Sequence, residues 1–489
     1  MQHLFIYRER GKAAAAEKDK RMKKGQIIEG IIERVDYPGK GIMRYEDRQV
    51  VVKHTLPGQK IRAAVTKARS GRCEAMLLEV LEKAPGECAS DCPHFDRCGG
   101  CSLRTLPYEE QLALKEKQVR DLLTKVCPDP HFEGIKASPV VNGYRNKMEF
   151  SFGDAFKGGP LTLGLHARGS FYDVITTDEC RIVHEDYRKI LKTVLDAAAE
   201  SGLPAYRRGN HEGYFRHLLV RRSYGTGEIL VILVTSSQVE KEVQDRLIAT
   251  VAQRLEALDL EGEIVGFGHT VNDRISDVID GENTVMIFGR DHFYEEIMGL
   301  RFLITPFSFF QNNTPAAGIL YDTAREYAHA AGEKEIFDLY SGTGTIAQMM
   351  SSAADHVTGI ELVEEAVEAA RLNAAMNGIE NCTFIAGDVL KELENVEEKP
   401  SMIILDPPRD GIHPKALTKI IAYGVERIVY ISCKPTSLVR DLEAFLNGGY
   451  ALTRSCAVDM FCGSDHVESI VLLERSRSAD AREGDKTGQ

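Results

Sequence analysis

Two residues near the C-terminal end of this 489-residue chain could together do covalent chemistry. Ile431-Ser432-Cys433-Lys434-Pro435 puts a thiol at the end of a strand-like apolar run, where active sites of open α/β sheets lie. Lys434 and a helix start after Pro435 would lower the pKa of that thiol. A lone cysteine is as readily an inert core residue, so a partner base is needed. Asp465-His466-Val467-Glu468 supplies a candidate in Glu468. A thiolate and a base are what methylation of pyrimidine carbon 5 requires, because that carbon is not nucleophilic unaided. Thiolate addition to C6 makes an enolate whose C5 can attack a sulfonium methyl. A base then removes the C5 proton and the thiolate leaves.

A methyl donor needs its own site. Asp338-x-x-x-Gly342-x-Gly344 follows one strand-like run and precedes a helix, where glycines let a ligand approach the backbone. Glu361 ends the next strand about 20 residues on, suited to ribose hydroxyls. Gly387-Asp388 ends the strand after that and suits an adenine amino group. Each carboxylate alone could equally cap a helix. The ordered set, followed by Asp406-Pro407-Pro408, points to S-adenosylmethionine rather than NAD, since no second βαβαβ half is apparent. Amine-methylating enzymes place an aromatic after Asp/Asn-Pro-Pro, whereas position 409 is Arg, which argues against an exocyclic amine as acceptor.

Taken together, Asp338-Leu-Tyr340-Ser-Gly342-Thr-Gly344, Leu405-Asp406-Pro-Pro-Arg409, Ser432-Cys433-Lys-Pro and His466-Val-Glu468 resemble the RNA (uracil-5-)-methyltransferase family, most closely its RumA-type 23S ribosomal RNA members. The resemblance runs from about 24 to 474. It implies cofactor contacts from Gln311, Tyr340, Glu361 and Asp406, with Cys433 as nucleophile and Glu468 as base. One departure stands out. The family reads Asp-Met-Phe-Pro-x-Thr before His-Val-Glu, whereas Asp459-Met460-Phe461 is followed here by Cys462-Gly463-Ser464, which offers a second thiol near the site.

Cys92-x5-Cys98-Gly-Gly-Cys101 and the distant Cys180 offer four thiolates. Such a set suits tetrahedral zinc or a [4Fe-4S] cluster, and Cys88 could complete a local zinc set with 92, 98 and 101. The family resemblance favours iron–sulfur on Cys92, Cys98, Cys101 and Cys180, in a structural role. The spacing is not the Cys-x3-Cys-x2-Cys of radical S-adenosylmethionine enzymes.

These residues must be positioned by several domains. Residues 1–23 are expected to be a basic, flexible lead-in. About five strands with Gly/Pro turns over 24–83 predict a small OB-like β-barrel, which resembles a TRAM domain. Residues 84–305 read as a central α+β domain with the four-Cys cluster. Within it, 108–126 forms a helix with Leu112, Val119, Leu122, Leu123 and Val126 on one stripe, and family analogy packs 106–126 on the catalytic domain. Repeated strand, Gly-rich turn and helix over 306–474 predict a parallel, doubly wound Rossmann-like methyltransferase domain. The tail 475–489 reads as disordered.

The chain carries a net charge of −12, yet residues 1–83 hold 19 Lys/Arg against 11 Asp/Glu, as a nucleic-acid-binding front end would. Lys40, Arg44, Lys53, Lys60, Arg62, Lys67, Arg69 and Arg72 make the barrel basic. The expected partner is ribosomal RNA, because transfer-RNA relatives typically lack both the barrel and the Cys cluster. A transfer-RNA enzyme and a non-catalytic RNA-binding assembly factor are the rivals. No apolar run approaches the roughly 20 residues of a membrane helix, no secretory signal is evident, and eleven Cys without one suit a cytoplasmic protein, read as a monomer.

Overall fold

The computed structural model describes residues 22–69, 72–170, 172–276, 281, 283–329, 333–395 and 399–476. The basic lead-in up to residue 21 and the tail beyond 476 lie outside the described residues. The chain divides into two compact units, Met1–Ala89 with Thr105–Pro107, and Ser90–Arg104 with Tyr108–Gln489.

The first unit is a closed five-stranded barrel with strand order Ile27–Asp36, Lys40–Tyr45, Arg48–Lys53, Arg72–Glu82, Lys60–Arg69. Alternation along the strands sends Ile28, Ile32, Met43, Val50, Val52, Ile61 and Val65 inward, where all are buried. Gly41 is required here, since a Cβ would lie 1.9 Å from Thr55 Oγ1. The basic surface is less free than composition implies. Lys60 pairs with Glu82 at 2.7 Å, Arg62 with Glu29 and Glu79 at 2.8 and 2.7 Å, and Lys67 with Glu74 at 3.2 Å.

The second unit holds two large sheets. The first has seven strands, ordered Thr284–Gly289, Glu263–Val271, Glu228–Thr235, Phe215–Arg222, Lys147–Asp154, Leu161–His166, Val174–Thr176. Only Glu228–Thr235 and Glu263–Val271 run parallel, and the helix Lys241–Glu256 is the crossover that a parallel pair demands. The run Ile229–Val234 is wholly buried, as a strand covered on both faces must be. Helix Glu185–Ser201 begins at His184, whose ring accepts from Asp186 N–H, and ends at left-handed Gly202.

The second sheet has eight strands, ordered Cys382–Ala386, Ala354–Glu361, Glu333–Leu339, Met402–Leu405, Arg427–Ser432, Glu468–Arg475, Tyr450–Val458, Phe132–Lys136. The first five are parallel. The expectation of an all-parallel sheet fails at one strand, Glu468–Arg475, which runs antiparallel to both of its neighbours. The cause is loop length: only residues 459–467 join Tyr450–Val458 to Glu468–Arg475, too few for a crossover.

Two further features depart from the linear reading. Strand Phe132–Lys136 precedes the seven-stranded sheet in the chain, yet it closes the edge of the eight-stranded one, parallel to Tyr450–Val458. The hairpin Phe293–Ile297/Leu300–Ile304 buries Phe293, Ile297, Phe302 and Ile304 in the core cluster of the eight-stranded sheet. Residues 84–305 are therefore not one spatial block.

Candidate active site

Strand Arg427–Ser432 is apolar and buried on both faces, and Pro435 starts the helix Pro435–Asn447 immediately after it. Cys433 sits in the bend between them and is partly exposed. In the antiparallel ladder Ile431 faces Ile470 and Ser432 faces Ser469. One further step along that register brings Cys433 opposite Glu468. The register of the last two paired strands, not sequence proximity, joins the thiol to its carboxylate.

The electrostatics differ from the expectation. Lys434 Nζ turns to Asp410 at 3.1 Å. Burial, with the carboxyls of Glu468 and then Asp406, pushes the Cys433 thiol up to about 11, and the opposing cation is Arg409. The Arg409 guanidinium also reaches His466 Nδ1 at 3.5 Å, so one loop cation faces both the nucleophile and the segment that carries the base. Glu468 is only 2 % exposed, and its Oε2 has no hydrogen-bond partner among the described residues. Burial, and then Asp406, hold its pKa well above the ordinary carboxylate range. A desolvated carboxyl of this kind is poised for proton transfer, unlike a solvated surface glutamate.

The glycine loop lies at the ends of the parallel strands. Tyr340 takes a left-handed φ of 69°, unusual for an aromatic residue, and its N–H donates to Ile360 O at 3.0 Å. Gly342 N–H donates to Glu361 Oε2 at 3.0 Å, while Glu361 Oε1 accepts from Val363 N–H at 3.0 Å. A Cβ on Gly342 would meet nothing within 4 Å, so the loop faces open space, whereas one on Gly344 would strike Phe384 and Ala370. Asp338 is fully buried with Oδ2 accepting from Ala347 N–H at 2.9 Å, and Asp388 Oδ1 accepts from Lys391 N–H at 3.3 Å. Asp388 thus has the helix-capping contact that was the alternative reading, and its side chain stays exposed. Asp406 ends its strand partly open, with burial pushing its carboxyl up to about 7. Gln311 is buried and lies beside the Tyr321 phenol, whose pKa burial first, and then the Asp406, Glu468 and Asp338 carboxyls, hold up. Gln311 therefore stands on the side of the site where those carboxyls converge. The residues fit a nucleoside donor: Asp338 Oδ1 and Ser341 Oγ are buried beside the open loop with no partner among the described residues.

The loop before Glu468 is held from a distance. Fully buried Lys115, on the helix Tyr108–Leu123, donates to Asp459 Oδ1 at 2.6 Å and to Phe461 O at 3.0 Å. Gln111 Oε1 accepts from Gly463 N–H at 2.9 Å, and Asn313 Nδ2 donates to Met460 O at 3.1 Å. These contacts hold the 459–463 loop through three side chains. Cys462 is fully buried with its thiol 3.8 Å from Tyr108 Oη and 3.7 Å from Val140 O, so it packs under the loop.

Among the described residues, no three His, Cys, Asp or Glu stand close enough together to hold a metal ion. Cys92, Cys98, Cys101 and Cys180 nonetheless line one small pocket with His94 and Arg104. Cys88 does not line it; its thiol donates to Thr105 O at 3.3 Å. Burial pushes the Cys101 thiol up to about 12, and charges on the other three would push it the same way. Four thiols lining one pocket are, in kind, the donor set of a thiolate-ligated group.

Sequence reasoning used Arg409 only to disfavour amine methylation and did not find Tyr321 or Lys115. The signal for Arg409 was its place just past a strand end; the other two become visible only through long-range packing.

A model of the tRNA (uracil-5-)-methyltransferase family matches residues 108–476, and the chain belongs to that family. It is 44% identical over 455 residues to an uncharacterized RNA methyltransferase of Clostridium tetani, covering 93% of this chain and 99% of the relative. An uncharacterized RNA methyltransferase of Caldanaerobacter subterraneus is 45% identical over 456 residues, covering 93% and 100%. In fold the chain is similar to the Pyrococcus abyssi tRNA (uracil-54, C5)-methyltransferase in complex with S-adenosyl-L-homocysteine. That likeness has a TM-score of 0.71 at 24% identity, covering 91% of this chain and 100% of the other. The chain is therefore an RNA methyltransferase by family, with a methyltransferase fold. No described helix is long and apolar enough to cross a membrane.

Proposed function

We propose that the protein methylates C5 of a uridine in ribosomal RNA. The observation that carries this reading is the strand register that sets Cys433 against Glu468. Bound S-adenosylmethionine supplies an electrophilic methyl; Gln311, Tyr340, Glu361 and Asp406 are the residues to hold it. Cys433 Sγ, as the thiolate, adds to C6 of an unstacked uracil, and the C5–C6 π pair moves through C5 to O4 as an enolate. The enolate C5 takes the methyl as the donor's methyl–sulfur bond breaks, and that electron pair stays on sulfur as a neutral thioether. Glu468 then removes the C5 proton, the C5–C6 double bond re-forms, and the C6–S bond breaks. A thiol at about 11 must lose its proton as the ring is engaged, and Arg409 is the cation placed to stabilise the thiolate.

Cys433→Ala should abolish transfer of labelled methyl to RNA. Glu468→Gln should methylate but fail to release, leaving an RNA–protein adduct on a denaturing gel. Free RNA alone with Glu468→Gln counts against Glu468 as the base.

The central sheet with its cysteine pocket, held by Cys92, Cys98, Cys101 and Cys180, supports a structural [4Fe-4S] cluster, with zinc as the alternative. Ribosomal RNA is the first reading on the family resemblance of the motifs; the barrel does not separate it from transfer RNA, because a match over 91% of this chain must take in barrel residues. A transfer-RNA substrate is the second reading, because the Pyrococcus abyssi tRNA enzyme shares this fold over 91% of the chain. Parallel assays on both RNAs separate the two.

A further inference from the structure

The seven-stranded sheet carries a second concave site that the methylation chemistry leaves unused. It encloses about 640 Å3 between the Ser151–Asp154 strand segment, the turn around Tyr172, and residues 205–210 with Arg216 and His217. This is within the size range of small-ligand sites, roughly 300–1,000 Å3. The interior is built rather than incidental. Arg216 is 3 % exposed and donates to Asn272 O and Arg274 O at 2.7 Å and to Ser276 O at 3.1 Å, which fixes its guanidinium over the Tyr206 ring, 4.4 Å from the centroid. Arg207 is engaged with Asp154 at 2.7 Å. At the mouth lie Arg208 and Lys157, both exposed, and Tyr172, which is 76 % exposed. His166 also lines the site, and its Nδ1 is buried with no hydrogen-bond partner among the described residues. Burial first, then Arg216 and Arg208, lower the His217 pKa to about 3, so its imidazole is neutral and presents a hydrogen-bonding edge rather than a charge.

Cations at the rim, aromatic walls and neutral imidazoles inside are complementary to a phosphate joined to a flat, hydrogen-bonding ring. The geometry points to a nucleotide subsite in which Arg208 and Lys157 take the phosphate and Tyr172 stacks on the base of one unstacked nucleotide of the RNA substrate. Base–aromatic stacking with a basic rim is how single-stranded RNA is held with little sequence demand. The proposal rests on the RNA-substrate reading, and it adds a second anchoring point on a different sheet from Cys433.

The test uses the full chain and a single-stranded uridine-rich oligoribonucleotide carrying one 4-thiouridine, without S-adenosylmethionine. Ultraviolet cross-linking should label a peptide containing Tyr172 or Tyr206. Arg208→Glu and Tyr172→Ala should each weaken RNA binding about tenfold, roughly 1.4 kcal/mol, with S-adenosylhomocysteine binding unchanged as the folding control. Arg208→Gln, which keeps the side-chain size, should fall between. Cross-links confined to other peptides, with RNA affinity unmoved by these variants, overturn the subsite. Tight uridine 5′-monophosphate binding that Arg208→Glu abolishes, with RNA affinity unmoved, assigns the cavity to a free nucleotide and also overturns it. Methyl transfer is scored separately. Transfer without the cross-link removes only the subsite, and the cross-link without transfer to any RNA removes only the methyltransferase reading.

Discussion

At the scale of single residues, the account turns on carboxyls kept out of water. Asp406 is pushed up to about 7 by burial. Its folded-state pKa lies above the unfolded value of about 4, so the folded chain binds the proton more tightly. The stability this carboxyl contributes is complete below about pH 4 and is lost as pH rises through about 7. Asp406→Asn removes the titration. It should stabilise the ligand-free protein by about 1–2 kcal/mol at about pH 8 and by almost nothing at about pH 4, read from urea unfolding at each pH. Equal effects at the two pH values would contradict the burial argument. Cys433 and Glu468 were legible because each stands in a short motif at a strand terminus. The partner of Lys434 was not, because Asp410 comes from another loop and charge pairing across loops leaves no local pattern.

Among elements, the helix Tyr108–Leu123 is the most instructive. Its sequence suggested an apolar stripe over Leu112, Val119, Leu122, Leu123 and Val126. Val119 and Leu123 of that stripe are buried, but the rest of the buried face is Gln111, Lys115 and Gln118, and the helix stops three residues short of Val126. Periodicity finds the helix but ranks faces by hydrophobicity, and this face is polar because it serves the backbone and carboxylate of the 459–463 loop. Lys115→Met should therefore cost about 3–5 kcal/mol by leaving Asp459 buried and unpaired. Adding Asp459→Leu should recover most of that loss. Denaturant titration checks both, and a Lys115→Met effect below about 0.5 kcal/mol would mean the pair is not structural. The antiparallel strand Glu468–Arg475 was missed for a related reason. Only the length of the preceding loop fixes its direction.

For the whole molecule, the barrel was recoverable from its Gly/Pro-punctuated strands, while the ion pairs that absorb Lys60, Arg62 and Lys67 were not, since they arise from cross-strand register. The cysteine pocket joins a loop at 92–101 to Cys180, a closure that spacing alone could only suggest. Protein purified without oxygen should carry about four iron and four sulfide per chain. Cys180→Ala should lose the iron and lower the melting temperature. One zinc per chain, without iron, would assign the thiols to zinc.

The central claim is that a ring carbon accepts the methyl after Cys433 bonds to its neighbour. Nucleoside mass spectrometry of RNA treated with the protein and S-adenosylmethionine tests it most directly. The account predicts 5-methyluridine as the product, absent with Cys433→Ala. A methyl on a ring nitrogen, an exocyclic amine or a ribose oxygen, or full yield from Cys433→Ala, would contradict it.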